Sequence, residues 1–201
     1  SGWFGFDQHF ELSLTGNGIN LASIQAVEQA YPVPGLLSLN VMGRGSLQKP
    51  EIKADLRIDS PRLKQQSFDD FTIGLQLNGR RLQLAADLNF KIGAQADLES
   101  GAFSLQADFA RTDLDPFLSF WQGPLWRGEL SGSIQAAGNW NHPAGIDATV
   151  FVSDAVLLYN NITLFQMAQF SAQIDDGRLS VPRSRVKLIK DGFIDVSADG
   201  N

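Results

Sequence analysis

The chain contains no cysteine. Disulfides, thiolate metal sites and thiol nucleophiles are therefore excluded, and the absence is compatible with an oxidising compartment. Charge is scarce too, at 19% of residues against a usual share of about a quarter. The polar surface leans instead on Ser, Asn, Gln and Thr. The balance is acidic, with a formal net charge of −6 and a pI of about 4.8. That argues against a nucleic-acid partner and against electrostatic docking on anionic lipid headgroups. No window approaches the roughly eighteen consecutive apolar residues that a membrane-spanning helix needs. There is no initiator Met and no signal peptide. The termini, Ser1-Gly2 and Asp199-Gly200-Asn201, read as those of a piece excised from a longer protein.

What is present is 43% hydrophobic residues in 201, enough for an ordinary core, arranged with a period of two. Ile52, Ala54, Leu56 and Ile58 alternate with Lys53, Asp55, Arg57 and Asp59. Phe71, Ile73, Leu75 and Leu77 repeat the pattern, as do Leu82, Leu84, Ala86, Leu88 and Phe90. Phe103, Leu105, Ala107 and Phe109 follow it, then Ile146, Ala148, Val150 and Val152. Phe170, Ala172 and Ile174, and finally Ile194, Val196 and Ala198, complete the series. In a strand such spacing puts every apolar side chain on one face. It is the signature of antiparallel sheet with one wet face. Asn78-Gly79, Ser100-Gly101, Asp176-Gly177 and Asp191-Gly192 supply turns between runs. About a dozen strands are predicted.

Two segments switch to helical spacing: Leu21, Ile24, Val27, Ala30 and Tyr31, and Leu114, Phe117, Phe120 and Trp121. Asp115-Pro116 opens the second, since proline suits the first helical turn. Both predicted amphipathic helices are short, and a shift of 93 residues lays one on the other. The same shift puts Phe10 on Phe103, Gly35 on Gly128, Leu37 on Leu130, Gly45 on Gly138, Pro50 on Pro143, Leu56 on Thr149 and Ile58 on Phe151. Later the register slips by about four, so that Asn78–Leu82 meets Asp175–Leu179. The chain thus reads as one continuous fragment, 1–201, of two repeat units, 10–100 and 103–200.

A dozen strands with one apolar face must hide that face. A barrel, a sandwich or a sheet folded on itself would each do so. An antiparallel sheet folded into a half-pipe with an apolar interior best tolerates repetition, and its open edges carry a risk of edge-to-edge self-association. The apolar residues of the period-two runs, other than the alanines and Phe71 and with Ile134 added, are the candidate lining of that interior. A plain core is the commoner meaning of such a face; a groove that holds acyl chains is the functional one, and composition does not separate them.

Catalytic signals are thin. His9 and His142 stand alone near predicted turns, without a second ligand at metal spacing. Asp69-Asp70 and Asp175-Asp176 fall at turns, where solvated carboxylates are common. Asp113-Leu114-Asp115 reads as helix capping rather than a calcium loop, and Gly43-Arg44-Gly45 as a strand-end turn. Asn161-Ile162-Thr163 fits a glycosylation pattern that is frequent by chance. No serine sits in a nucleophile elbow and no Gly-rich run matches a phosphate loop. No enzymatic activity, cofactor or metal is expected. Trp121, Trp126 and Trp140 with Phe117 and Phe120 are predicted to gather around the second helix, either as a small packed core or as an aromatic gate.

The run Pro124–Ile134, then Gly138-Asn139 and Pro143, the strand Ala148–Val152 and Asp175–Leu179 resemble the repeat grammar of the TamB family and its AsmA-like relatives. Residues 35–50 repeat it more loosely, with Leu39 where that grammar has Gly. The resemblance spans about residues 10 to 200. It implies a β-taco sheet enclosing a hydrophobic groove, in a periplasmic segment of a protein anchored in the inner membrane of a diderm bacterium. It further implies phospholipid acyl chains as cargo, a TamA-like outer-membrane β-barrel as partner of the parent protein, and a part in outer-membrane protein assembly. Two rival readings stay open: a chaperone-like module that captures strands of unfolded outer-membrane proteins at its sheet edge, and a cell-surface β-domain with a closed core.

Overall fold

The computed structural model describes residues 1–5, 9–23, 35–63, 66–122, 125–188 and 192–200. They divide into two compact units, Ser1–Gly101 and Ala102–Asn201. Each unit is antiparallel β throughout its main sheet. Among the described residues no helix is long and apolar enough to cross a membrane.

The first unit runs β1 (Gly2–Phe4), β2 (His9–Asn20), β3 (Leu36–Ser46), β4 (Lys49–Asp59), β5 (Arg62–Leu63), β6 (Gln66–Ser67), β7 (Phe71–Asn78), β8 (Arg81–Asp87) and β9 (Lys91–Asp97). The sheet order is β1-β2-β3-β4-β7-β8-β9, with β5 and β6 paired apart. The turns follow the sequence signals. Gly79 adopts φ +59° and Gly101 φ +79°, a conformation that glycine enters without steric cost. Asp97 closes the turn after β9, its Oδ1 accepting the N–H groups of Glu99 at 3.0 Å and Ser100 at 2.9 Å.

The expected strand over 82–90 is interrupted. Leu88, Asn89 and Phe90 form a tight turn between β8 and β9, with Asn89 at φ +74° and the Leu88 N–H donating to the Phe90 carbonyl at 2.9 Å. Asparagine tolerates the left-handed region, so the apolar alternation runs straight across a reversal of the chain.

The second unit runs β10 (Ala102–Asp113), α1 (Asp115–Gln122), β11 (Trp126–Asn139), β12 (Asp147–Tyr159), β13 (Ile162–Met167), β14 (Phe170–Asp175), β15 (Arg178–Leu188) and β16 (Phe193–Gly200). β13 and β14 lie end to end, facing opposite halves of β12 on one side and β15 on the other. β16 completes the meander on β15. α1 is the second predicted helix. Asp113 Oδ1 accepts the Asp115 N–H at 2.8 Å and the Leu114 carbonyl accepts the Leu118 N–H at 2.8 Å, the local capping that Asp and the following Pro favour. Of the first predicted helix only a 3-10 turn, Leu21–Ser23, is described; its remainder lies outside the described residues.

The two units share one hairpin register. Phe10 faces Gly45 and Gly16 faces Leu39; 93 residues on, Phe103 faces Gly138 and Phe109 faces Gly132. A bulge falls between Gly16 and Ile19 in one and between Phe109 and Thr112 in the other. Inside those bulges Gly18 and Arg111 (18 + 93) adopt φ +62° and +54°. Leu21 donates its N–H to the Gly35 carbonyl at 3.0 Å, and Leu114 to that of Gly128 at 2.8 Å. Beyond this hairpin the shift changes. β3 and β4 are joined by two residues, β11 and β12 by seven that include a 3-10 turn at Pro143–Gly145. Leu39 faces Leu56 whereas Gly132 faces Val152, so Leu56 corresponds to Val152 and not, as the alignment suggested, to Thr149. Pro50 lies inside a strand while Pro143 opens the 3-10 turn.

Candidate functional site

Strand register turns the alternating residues into rows that cross the sheets. In the first unit one row is Gly16–Leu39–Leu56–Ile73–Ala86–Ile92. A second is Leu14–Val41–Ala54–Leu75–Leu84–Ala94 and a third Leu12–Gly43–Ile52–Leu77–Leu82–Ala96. Leu37, Ile58 and Phe71 begin a fourth. Neighbouring side chains within a row stand about 4.8 Å apart and neighbouring rows about 7 Å apart. The result is a continuous apolar lattice. The residues between, such as Lys53, Asp55, Arg57, Gln76 and Gln83, take the opposite face. A recess of about 590 Å³ lies on that opposite face, among Thr15, Ser38, Asn40, Asp55, Arg57, Thr72, Asp87 and Lys91.

The second unit is built alike. Its rows are Leu105–Ala136–Ala148–Ile174–Leu179, Ala107–Ile134–Val150–Ala172 and Phe109–Gly132–Val152–Phe170, followed by Leu130–Ala155–Met167–Val186–Ile194. Of the candidate lining residues, Leu88 and Phe90 stand apart in their turn. Ile146 precedes β12 and is half-buried. Ile194 and Val196 lie on β16, whose eight residues are all exposed. Phe103 faces Gly138 at the end of the β10–β11 hairpin, beyond the rows, and the remaining candidates fall on them. The sequence reading missed Leu12, Leu14, Leu37, Leu39, Val41, Ile92, Leu130, Met167, Leu179 and Val186, which complete them. Most of their strands break the alternation with exposed apolar neighbours, as at Leu36 and Met42, or with a bulge, as at Val181–Ser184.

Among the described residues the lattice is incompletely buried. Among these residues the buried apolar side chains are Leu21, Ala107 and Ala155, with Pro61 and Pro116, and none of the large aliphatic row members is among them. The row members on β4, β7, β8 and β9 are half-buried, and Leu14 is 52% exposed. The accessible surface is 13293 Å². Even two separate globules of half the 22.0 kDa mass would together expose only about 11,200 Å². Over the described residues, the apolar rows of each unit are thus only partly covered.

One stretch of the lattice is covered. α1 packs on Gly128 of β11, where an added Cβ would stand 3.2 Å from Leu118 Cδ1 and 3.5 Å from Leu114 Cδ1. Asp115 Oδ1 accepts the Gly128 N–H at 2.9 Å. Burial pushes the Asp115 carboxyl above its ordinary value, opposed by that hydrogen bond. The expected aromatic gathering around this helix is dispersed. Trp126 pairs with Tyr159, ring centroids 5.2 Å apart, whereas Trp140 stacks on Phe103 at the far end of the β10–β11 hairpin. The side chains of Phe120 and Trp121 lie outside the described residues.

Charged groups are on the wet side and serve turns and strand pairs. Asp70 ties Arg57 at 2.7 Å and the Ser60 N–H at 2.9 Å, which gives one member of the Asp69-Asp70 pair a structural task. The Asp176 N–H donates to Asp147 Oδ1 at 3.3 Å. His9 is the first residue of β2, beside the β1–β2 connection, and His142 lies in the loop before β12. Gly43-Arg44-Gly45 lies within β3, where Arg44 pairs with Glu51 at 2.7 Å. Among the described residues no group of three or more His, Cys, Asp or Glu could hold a metal ion. No family model, no curated protein and no solved structure matches the chain.

Proposed function

We propose that this chain is a periplasmic segment of a bridge-like protein that carries phospholipid along an apolar half-pipe between the inner and outer membranes and supports outer-membrane protein assembly. The observation that carries this reading is the half-buried lattice of rows, whose large aliphatic members are nowhere fully buried among the described residues. A closed core would bury such rows almost completely. Acyl chains are a fitting cover, since each buried CH₂ contributes about 0.8 kcal/mol. Rows of near-uniform Leu, Ile, Val and Ala offer many sites of similar affinity, so a chain can slide from one to the next. The shared hairpin register supports a repeated unit, which is how such a conduit is lengthened. The resemblance to the TamB and AsmA-like grammar supplies the location, the inner-membrane anchor and the TamA-like partner.

Photo-reactive residues at Leu84 and Leu105 test the cargo. Cross-links to phospholipid support it; cross-links to protein alone sink it. Native mass spectrometry of the purified chain gives an independent readout through co-purifying lipid.

A second reading rests on β16, whose residues are all exposed and whose apolar members Phe193, Ile194 and Val196 are 57%, 49% and 38% exposed. An edge strand of this kind accepts a further strand by backbone hydrogen bonds, and an unfolded outer-membrane protein or a second copy of this chain would supply one. Val196→Pro should then weaken client binding and leave lipid capture unchanged.

A further inference from the structure

The wet faces of the two units carry uncharged ladders. In the second unit one row on that face is Gln106–Gln135–Thr149–Gln173–Ser180. It crosses β10, β11, β12, β14 and β15 over about 19 Å, and every member is exposed. Charged residues border the row without entering it: Asp108 on one side, Asp147, Asp175 and Arg178 on the other. Gln106 donates to Asp108 Oδ2 at 2.9 Å. Among the described residues no hydrogen-bond partner reaches the side chains of Gln135, Thr149, Gln173 or Ser180. The first unit has a shorter ladder, Gln76–Gln83–Gln95 on β7, β8 and β9. Its amides are likewise exposed and unpartnered, and Gln76 and Gln83 border a recess of about 750 Å³.

Phe151 stands beside the longer ladder, two residues along β12 from Thr149 and therefore on the same face. Its cross-strand neighbours are Ser133 and Ser171, and it is 38% exposed. A ring among serines on the wet side adds nothing to the apolar rows, and leaving it in water forgoes the gain of burying it. Carboxamides and hydroxyls both donate and accept. Set one per strand, they present a regular line of both. A matching partner is uncharged, rich in donors and acceptors, and extended enough to follow the row. Nucleic acid and anionic lipid need cations, which the row lacks. An apolar surface would take water from the amides and return no hydrogen bonds. A β-strand would join at an edge through its backbone rather than lie on a face. A linear glycan meets every requirement, because its hydroxyls pair with the ladder and the C–H face of a sugar ring covers an aromatic one.

We propose that the wet face of the second unit binds a linear, uncharged polysaccharide along Gln135, Thr149, Gln173 and Ser180, with a sugar ring stacked on Phe151. The acidic balance of the chain is no obstacle to such a ligand. The proposal does not depend on the apolar rows, which lie on the other side of the sheet.

Co-sedimentation of the 201-residue chain with insoluble cellulose and with chitin tests it, against a control without polysaccharide. The chain should pellet with at least one of them, and to the same extent at roughly 50 and 500 mM salt, because the contacts carry no charge to screen. The difference between the two shows whether acetamido groups belong to the recognised chemistry. Gln135→Ala and Phe151→Thr, read separately and with unchanged melting curves, should each weaken binding about fivefold. Failure to bind either polysaccharide, loss of binding at the higher salt, or unchanged binding of both variants overturns the proposal. Phospholipid capture by the same variants separates this face from the apolar one, since it should not change.

Discussion

Asp115 accepts the Gly128 N–H on Oδ1 at 2.9 Å, which pins α1 to the strand it covers. The cost of that latch is ionisation in a partly desolvated place: burial raises the carboxyl above its ordinary 3.8. A raised folded-state value favours the fold while the group is protonated. That contribution is complete below the unfolded value and is lost as pH rises through the folded one. Asp115→Asn keeps the acceptor and cannot ionise, so at pH 7 it should melt no lower than the native chain. The advantage should vanish below about pH 3.8. Asp115→Ala has no acceptor and should lose about 1 kcal/mol at either pH. Thermal melts followed by circular dichroism across the pH range decide this.

Gly18 and Arg111 hold equivalent places in the two hairpin bulges, at φ +62° and +54°. Nothing lies within 4 Å of a Cβ added at Gly18, so Gly18→Ala isolates backbone strain from crowding and should cost about 1 kcal/mol. Arg111 already bears that strain. Its ion pair with Glu129, 83% exposed on the arginine side, repays little. Arg111→Gly should therefore be neutral or stabilising by up to about 1 kcal/mol, once the entropy glycine adds to the unfolded chain is offset. Opposite signs in urea titrations of the two variants would establish that the bulges are one device used twice. Equal losses would contradict it.

The sequence made the sheet and its wet face legible because alternation is a local property, as at Ile52–Ile58 and Ile73–Leu77. It made the second helix legible because Asp115-Pro116 is a local start signal. It failed where one period covers two conformations. Leu82 to Phe90 alternates without a break, yet the chain reverses at Asn89 because a left-handed residue costs asparagine little. It failed also where equivalence depends on partners far away. Pro50 and Pro143 coincide at a shift of 93, but cross-strand pairing matches Leu56 with Val152. Trp140 was placed with the helix by nearness in sequence, and a strand of fourteen residues, Trp126–Asn139, carries it away to Phe103. Whether the rows are covered was not readable at all, since covering depends on what a second layer supplies.

Two glycines on strands of ordinary extended backbone give opposite expectations. A Cβ at Gly132 would stand 2.2 Å from the Phe151 carbonyl oxygen and 2.9 Å from Val152 Cα. Both are backbone atoms, held by the pairing of β11 with β12 beside the bulge after Ser131. Gly132→Ala should lose about 2 to 3 kcal/mol, in the range of overpacking changes. A Cβ at Gly93 meets nothing within 4 Å, and Gly93→Ala should be neutral or gain up to about 1 kcal/mol from the stiffer unfolded chain. Chemical denaturation of both variants, with the same dependence on denaturant, checks the contrast.

Asp195 is the opposite electrostatic case to Asp115. Hydrogen bonds from Arg185 and then Arg183 hold its carboxyl down to about 2, from an ordinary 3.8. A depressed folded-state value stabilises the fold while the group is ionised. The contribution is complete above the unfolded value and is lost as pH falls through the folded one. Melting curves of the native chain and Asp195→Asn should therefore differ by a constant amount from pH 7 to about 4 and converge as pH approaches about 2. Because both arginines are largely exposed, about 1 M salt, with a screening length near 3 Å, should also narrow the gap at pH 7. A carboxyl resonance of Asp195 that titrates near 4, or a gap insensitive to both acid and salt, would show that β16 is held on β15 by its backbone ladder alone.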